Sequence, residues 1–272
     1  MNRIIGAVAA MVWIGLMAAL LQRDYPFWRP QDPPSRVIPP GNRQTAIYDA
    51  GNNRVGTAWL TVSQESAVVS FTVFEIARVI PGLPAGGPIA VKSTLGFDAD
   101  GSLQRLVFWL HGVGIPILVS ATRIGDDFAC EMNIGDLRRS MSLPAEASEC
   151  LGESLRPFTH LKGLHVGQSW RIRIVDPISL LRDQTIDFAA QMATVTARET
   201  VKHNGEDVEC FRIETNGAVA WADDDGTVVR QEVVIPFIGK WTLLDEKFDQ
   251  PAREKAMVRV GLTREALNDT AP

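Results

Sequence analysis

Apolar and polar residues alternate along most of the chain after residue 43, and short turn sequences interrupt the alternation. The clearest strand pattern is Gln168 to Asp176, where Trp170, Ile172 and Ile174 point to one side and polar residues to the other. Turn sequences rich in Gly, Asn and Asp tolerate positive φ and separate such runs. They lie at 51–53, 98–101, 125–127, 203–206 and 223–226. This spacing predicts consecutive antiparallel hairpins.

The predicted strands therefore form one large curved antiparallel sheet in a β-rich α+β domain. They cover 44–49, 55–63, 67–74, 89–97, 103–110, 115–122, 128–133, 168–176, 192–201, 208–214, 218–221 and 227–234. Gly135 to Lys162 differs, because Leu137 and Met141 recur among polar residues and Pro144 and Pro157 cut the run. This pattern predicts one or two short helices that cover the sheet. The last twenty-odd residues could form a helix or an edge strand.

The amino-terminal segment predicts a membrane helix. Ile4 to Leu21 contains 18 residues without a charge, or about 27 Å of helix against a hydrocarbon core of about 30 Å. Arg3 precedes it, so the rest of the chain should lie outside the cytoplasm. We interpret residues 1–24 as a retained signal anchor in the inner (cytoplasmic) membrane, crossing once. A cleaved signal peptide is the alternative, although the apolar segment is long and its end, Met17 to Gln22, makes a poor cleavage site. A buried soluble helix is a further alternative.

A proline-rich segment at 25–42 follows the predicted anchor. It contains six prolines, which exclude a helix or a central strand and favour an extended spacer. Tyr25, Phe27 and Trp28 stand where aromatic side chains anchor at the membrane interface. The sequence thus predicts an anchor, a linker at 25–42, an extracytoplasmic domain at 43–250 and a carboxy-terminal tail at 251–272.

One stretch, Leu106 to Val119, is unusually apolar. As a strand pair it places Leu106, Phe108 and Leu110 on one face and Trp109 on the other. A central pair with one face on the core and the other under a helix explains this pattern. The alternatives are the wall of an apolar ligand groove, a surface that docks a partner, or a loop that dips into the membrane.

Composition and charge narrow the class of protein. Of 272 residues, 46% are hydrophobic and 22% are charged, as in an ordinary globular protein. Lys and Arg number 27 against 32 Asp and Glu, giving a net charge of −5, which argues against a nucleic-acid partner. Three cysteines are too few for a disulfide scaffold. Cys130 and Cys150 are a candidate disulfide pair, and three buried free thiols are the alternative.

No complete catalytic, cofactor or metal motif occurs in the sequence. There is no H-E-x-x-H, C-x-x-C, G-x-S-x-G or phosphate-binding loop. Asp223 to Gly226 lacks the spacing of a calcium loop and fits a hairpin turn. We therefore predict no cofactor, no metal site and no catalytic residue. If the protein were a hydrolase, His111 beside the apolar stretch would be the first histidine to examine.

Two stretches resemble uncharacterised extracytoplasmic β-domains of Gram-negative-type bacteria. They are Val166 to Ile172, followed by Asp176-Pro177, and the hairpin from Ala220 to Glu232 with its Trp-x-Asp-x-Asp-Gly sequence. Those domains are similar in layout to the lipoprotein-carrier (LolA/LolB-like) fold. The resemblance implies an open-barrel-like antiparallel sheet with helices over its apolar concave face, and the binding of acyl chains. It brings no catalytic residues.

These observations predict a non-enzymatic, membrane-anchored domain. It would bind an apolar or lipid-like ligand, or act as an accessory subunit of a membrane complex. The candidate groove-lining residues are Phe108, Trp109, Trp170 and Trp221, for each of which core packing is the alternative. A pure assembly module without a ligand cavity is the alternative function, and an uncharacterised hydrolase is the second.

Overall fold

The computed structural model describes residues 32–34, 39–63, 67–75, 88–98, 103–112, 116–144, 160–175, 188–235 and 239–261. Within these ranges the chain forms fourteen strands and one helix. The strands are β1 (Gly41–Tyr48), β2 (Arg54–Val62), β3 (Ala67–Glu75), β4 (Pro88–Phe97), β5 (Leu103–His111), β6 (Ile117–Ile124), β7 (Asp127–Ile134), β8 (Leu137–Pro144), β9 (Ser169–Val175), β10 (Phe188–His203), β11 (Glu206–Glu214), β12 (Ala218–Ala222), β13 (Val228–Ile235) and β14 (Gly239–Glu246). The helix is α1 (Gln250–Arg259).

All fourteen strands belong to one sheet, in the order β8-β7-β6-β5-β4-β3-β2-β1-β14-β13-β12-β11-β10-β9. Strands that are neighbours in the sequence pair with each other, except β8 and β9, which lie at the two edges, and β1 also pairs antiparallel with β14 inside the sheet. The twelve predicted strands are all present, and the predicted large antiparallel sheet is confirmed. Turn chemistry explains the hairpins, since Asn52 and Asn204 adopt the positive φ that tight turns require. Membership of the lipoprotein-carrier fold stays a prediction.

The sheet has two distinct faces. Paired residues in an antiparallel ladder lie on the same face, so the register can be followed from strand to strand. It places the two largest clusters of buried residues on one face, which we call the core face. One cluster comprises Leu60, Val62, Leu95, Leu103, Leu106, Ala121, Phe128 and Cys130. The other comprises Leu161, Trp170, Ile172, Ala193, Val195, Phe211, Ile213, Ala220 and Ala222.

Helix α1 packs on the opposite face, which we call the helix face. The helix begins after Asp249, whose carboxylate accepts a hydrogen bond from the Ala252 backbone N–H at 2.9 Å. Met257 and Val260 then pack against a third buried cluster, which includes Trp59 of β2. The resemblance implies helices over the main apolar face, whereas the described helix covers the other face.

Three sequence predictions of helices have different outcomes. A helix within Gly135 to Lys162 is wrong for residues 137–144, which form edge strand β8, and residues 145–159 lie outside the described ranges. The carboxy-terminal segment is a helix, as one of the two alternatives predicted. The predicted membrane helix, Ile4 to Leu21, also lies outside the described residues. No helix among those that are described has the length and apolar character to cross a membrane.

Candidate functional site

The core face carries a continuous apolar surface across β4 to β8, outside the packed cluster. Two rows of directly paired residues build it. The first row runs Val91, Leu110, Ile117, Ile134 and Leu137 from β4 to β8, and the second runs Phe108, Val119 and Met132 from β5 to β7. We call these eight side chains the apolar patch.

The residues of the apolar patch are less buried than their neighbours. Seven are half-buried, and Leu137 on the edge strand is 46% exposed. By contrast, Leu106 and Ala121, which belong to the next row of the same face, are buried. The described helix lies on the other face and does not cover the patch. Contiguous, partly exposed apolar surfaces of this kind typically mark binding sites.

A cationic side chain stands at the end of the second row. Arg139 of β8 pairs with Met132 and so lies on the same face, at the edge of the sheet. Its side chain is exposed and forms no ion pair with any residue in the described ranges. A guanidinium can bind a carboxylate or a phosphate through two hydrogen bonds. The patch therefore combines an apolar surface with one anion-binding group at its rim.

The four predicted groove-lining residues lie in four different clusters. Phe108 is part of the apolar patch and packs against the core-face cluster of Leu95 and Leu106. Trp109 lies on the helix face, among the residues under α1. Trp170 is 1% exposed in the other core-face cluster. The four side chains therefore do not meet in one groove, and Phe108 alone belongs to the candidate site.

Trp221 is held in a polar network on the helix face. Its indole Nε1 donates a hydrogen bond to Glu199 Oε2 at 2.9 Å, and Arg212 donates to Glu199 Oε1 at 3.0 Å. The guanidinium of Arg230 lies 5.0 Å above the Trp221 ring. The hydrogen bonds from Trp221 and Arg212 lower the pKa of the Glu199 carboxyl. The network links β10, β11, β12 and β13 on the helix face.

The described cysteines are buried thiols. Cys130 and Cys210 form no disulfide with a described residue. Burial raises the pKa of Cys130, and burial together with Asp223 raises that of Cys210 to about 11, so both stay protonated and inert at neutral pH. Cys150 lies outside the described residues, so the Cys130–Cys150 disulfide stays a prediction.

Two of the four histidines, His111 and His203, occupy different environments. His111 is exposed and stacks on Trp109, with ring centroids 5.2 Å apart. His203, at the tip of the β10–β11 hairpin, instead places Nε2 3.5 Å from Asp245 Oδ2 of β14. Burial raises the pKa of Asp245, whereas His203 and Arg43 lower it. No group of three or more metal-ligating side chains is found within the described ranges. Sequence reasoning missed the His203–Asp245 pair because 42 residues separate its members.

Replacing Asp245 by asparagine should stabilise the protein at high pH. The folded-state pKa of this acid is raised above its unfolded value, so its contribution to stability is present below the unfolded pKa and lost as pH rises through the folded pKa. Asparagine removes the charge from this half-buried position. The melting temperature of Asp245→Asn should therefore exceed that of the wild type near pH ~8, with the difference vanishing near pH ~4.

The matched control is Asp207→Asn, which removes an exposed carboxylate 3.5 Å from Lys202. It should change the melting temperature little at either pH, because exposed ion pairs contribute little. The groups near Asp245 that also titrate or carry charge are His203, Arg43, Asp223 and Glu246. A lower melting temperature for Asp245→Asn near pH ~8 would show that the ionised carboxylate is stabilising.

Comparisons with known proteins give no family. No protein-family model matches the chain, and no curated protein has significant similarity to it. A DUF1089 family protein from Pseudomonas aeruginosa, with a crystal structure at 1.80 Å resolution, is 15% identical to this chain. The match covers 74% of this chain and 95% of that one, with a TM-score of 0.35. A likeness this distant carries no argument about ligand or activity.

Proposed function

We propose that the protein is a membrane-anchored, extracytoplasmic and non-enzymatic domain that binds a lipid-like amphiphile on the apolar patch. The observation that supports this most is the pair of cross-strand apolar rows, half-buried on a face that the described helix does not cover. Arg139 at the rim favours a ligand with an anionic head. The uncharged segment Ile4 to Leu21 supplies the anchor in this proposal.

The dimensions of the patch suit one acyl chain. The first row crosses from β4 to β8, which is four strand spacings, or about 19 Å at ~4.8 Å each. One acyl chain occupies about half of a ~30 Å bilayer core, or about 15 Å. A chain lying across the strands would cover the patch and leave its head near the sheet edge, where Arg139 stands.

The principal alternative is an assembly module. Edge strand β8 pairs with β7 alone among the described strands and exposes Leu137. A partner could add a strand at this edge, as in β-augmentation, and cover Leu137 without any ligand. In that case the protein would serve as an accessory subunit of a membrane complex.

Binding of cis-parinaric acid by the purified full-length protein tests the ligand proposal. We expect Val119→Asp to weaken binding about tenfold or more, because an acyl chain cannot cover a carboxylate without cost, and tenfold corresponds to ~1.4 kcal/mol. The control, Thr122→Asp, puts the same charge on β6 but on the helix face. It should bind like the wild type.

A second variant tests the head group. Arg139→Glu should weaken binding of the fatty acid more than binding of the corresponding alcohol, because only the acid carries a charge for the guanidinium. Failure of the wild type to bind either probe, or equal losses in the variants at 119 and 122, would contradict the ligand proposal. Cross-linking of a partner at β8 by the same protein would then favour the assembly module.

A further inference from the structure

A short segment before the first strand is attached to the far edge of the sheet. The Asp32 backbone N–H donates a hydrogen bond to the Ser169 carbonyl at 2.9 Å, at the start of edge strand β9. Gln168 Nε2 donates to the Asp32 carbonyl, also at 2.9 Å. We call residues 32–34 the strap. The sequence predicts this region as a free spacer, whereas these residues contact the domain.

Buried polar groups hold the strap. Gln168 is 4% exposed, and its Oε1 accepts a hydrogen bond from the His165 backbone N–H at 3.0 Å. This bond fixes the amide so that its NH₂ group faces Asp32. His165 Nε2 also lies 3.6 Å from Asp32 Oδ2, and Pro34 is buried. Asp32 thus makes two hydrogen bonds to the domain, one to the Ser169 backbone and one to the preorganised Gln168 side chain. Two such bonds to one residue form a specific attachment.

The attachment shortens the tether between the domain and the predicted anchor. Gly41, the first residue of β1, lies thirteen positions after Trp28, so a free linker would allow about 45 Å. Asp32 lies only four positions after Trp28, which allows about 14 Å. If Trp28 lies at the membrane interface, the strap keeps the start of β9 within that shorter distance of the lipid headgroups.

We propose that the strap orients the domain on the bilayer, with the β9 edge and the adjoining turn at 162–167 against the lipid surface. This inference rests on the membrane anchoring in the proposed function. The turn presents Lys162, which is exposed, and Val166, which is 54% exposed. A cationic and an apolar side chain that are both exposed in one short turn suit a lipid interface. The domain would then stand in one orientation instead of moving freely on its linker.

Photo-cross-linking to lipid in the full-length chain tests the orientation. Benzoylphenylalanine is placed at Val166 or, as the matched control, at Val258, a 77% exposed valine on α1. The protein is reconstituted into vesicles of phosphatidylcholine and phosphatidylglycerol, and lipid adducts are quantified by mass spectrometry. We expect several-fold more adduct at position 166 than at position 258.

Releasing the strap should remove this difference. Gln168→Glu keeps the oxygen that accepts from His165 and loses the donor to Asp32, so the adduct at position 166 should fall towards the level at 258. The control, Gln104→Glu, makes the same change at a glutamine that donates to Asp98 on another part of the sheet. It should leave the adducts unchanged. Thermal unfolding of both variants checks that each domain stays folded.

The outcomes separate this inference from the proposed function. Equal adducts at 166 and 258, in a chain that stays with the vesicles after a high-salt wash, would overturn the orientation and leave the anchor intact. Unchanged adducts in a folded Gln168→Glu variant would likewise overturn the role of the strap. A chain that washes off would overturn the anchor, and this inference with it.

Discussion

Replacing Trp170 by alanine is expected to lower the free energy of unfolding by about 3–5 kcal/mol. The side chain is 1% exposed and is the largest of those that are almost fully buried. Its removal leaves a cavity among Ile172, Ala193 and the other members of its cluster, which can collapse only in part. Because the free energy of unfolding of a single domain is only about 5–15 kcal/mol in total, the variant should keep little stability at 37 °C.

Urea denaturation monitored by circular dichroism measures this effect. The control is Trp241→Ala, because Trp241 lies on the same face but is half-buried. Trp241→Ala should lose less stability, because folding removes less apolar area of this half-buried side chain from water. Equal losses would contradict the assignment of Trp170 to the core. If Trp170 lined a ligand site, its variant would instead lose ligand binding while keeping most of its stability.

Gly226→Ala is expected to be the second most damaging substitution, at about 3–4 kcal/mol. Gly226 has φ of +89°, and a Cβ there would lie 2.5 Å from the Leu161 carbonyl oxygen. The two segments cannot easily separate, because the Leu161 N–H donates to the Gly226 carbonyl at 2.7 Å. Leu161 is buried in the core-face cluster, so the clash would displace part of that cluster.

Gly205→Ala separates the clash from the backbone conformation. Gly205 has the same φ of +89°, but a Cβ at this position would meet no other atom within 4 Å. Alanine at position 205 should lower the free energy of unfolding by only about 1–2 kcal/mol, because its Cβ is strained in the left-handed conformation. The difference between the two melting temperatures then measures the steric contact. Similar losses for both variants would show that the 160–168 segment moves aside without cost.

The local sequence was enough to predict most strands, because turn residues and alternation are both local signals. It failed at β8, where Leu137 and Met141 are four residues apart. Side chains with that spacing share one side of a helix and also one side of a strand, so the pattern could not distinguish the two. The pairing with β7 shows that this segment is a strand, with both residues on the core face.

Pairings between distant residues were not predictable. Strand β14 lacks clean alternation and is held by β1, with Gln44 and Glu246 paired across 202 residues. The contact between Asp32 and Gln168 depends on the folded position of β9 in the same way. Such contacts follow from how the whole sheet is arranged, for which no local residue pattern exists.

The candidate site was predictable in part. The sequence placed Phe108 and Leu110 on one face and Trp109 on the other, and the structure confirms this, with Trp109 under α1. The sequence could not show that Val119, Ile134 and Leu137 extend the same surface, because strand-to-strand register decides which residues are adjacent. Two other candidate aromatic residues, Trp170 and Trp221, are buried in separate clusters.

The sheet order has a consequence for how the chain folds. Every strand pair except β1–β14 joins neighbours in the sequence. The two halves of the sheet, β1–β8 and β9–β14, can therefore each form from successive hairpins, whose local contacts form fast. The two folded halves then join through the β1–β14 pairing, which we call the seam. Closing the long loop between these two strands is the step with the largest entropic cost. Helix α1 follows β14 and packs beyond the seam on Trp59 of β2, so it holds the two joined halves together. A chain severed between β8 and β9 would keep every hairpin, and its two fragments could reassemble at this seam.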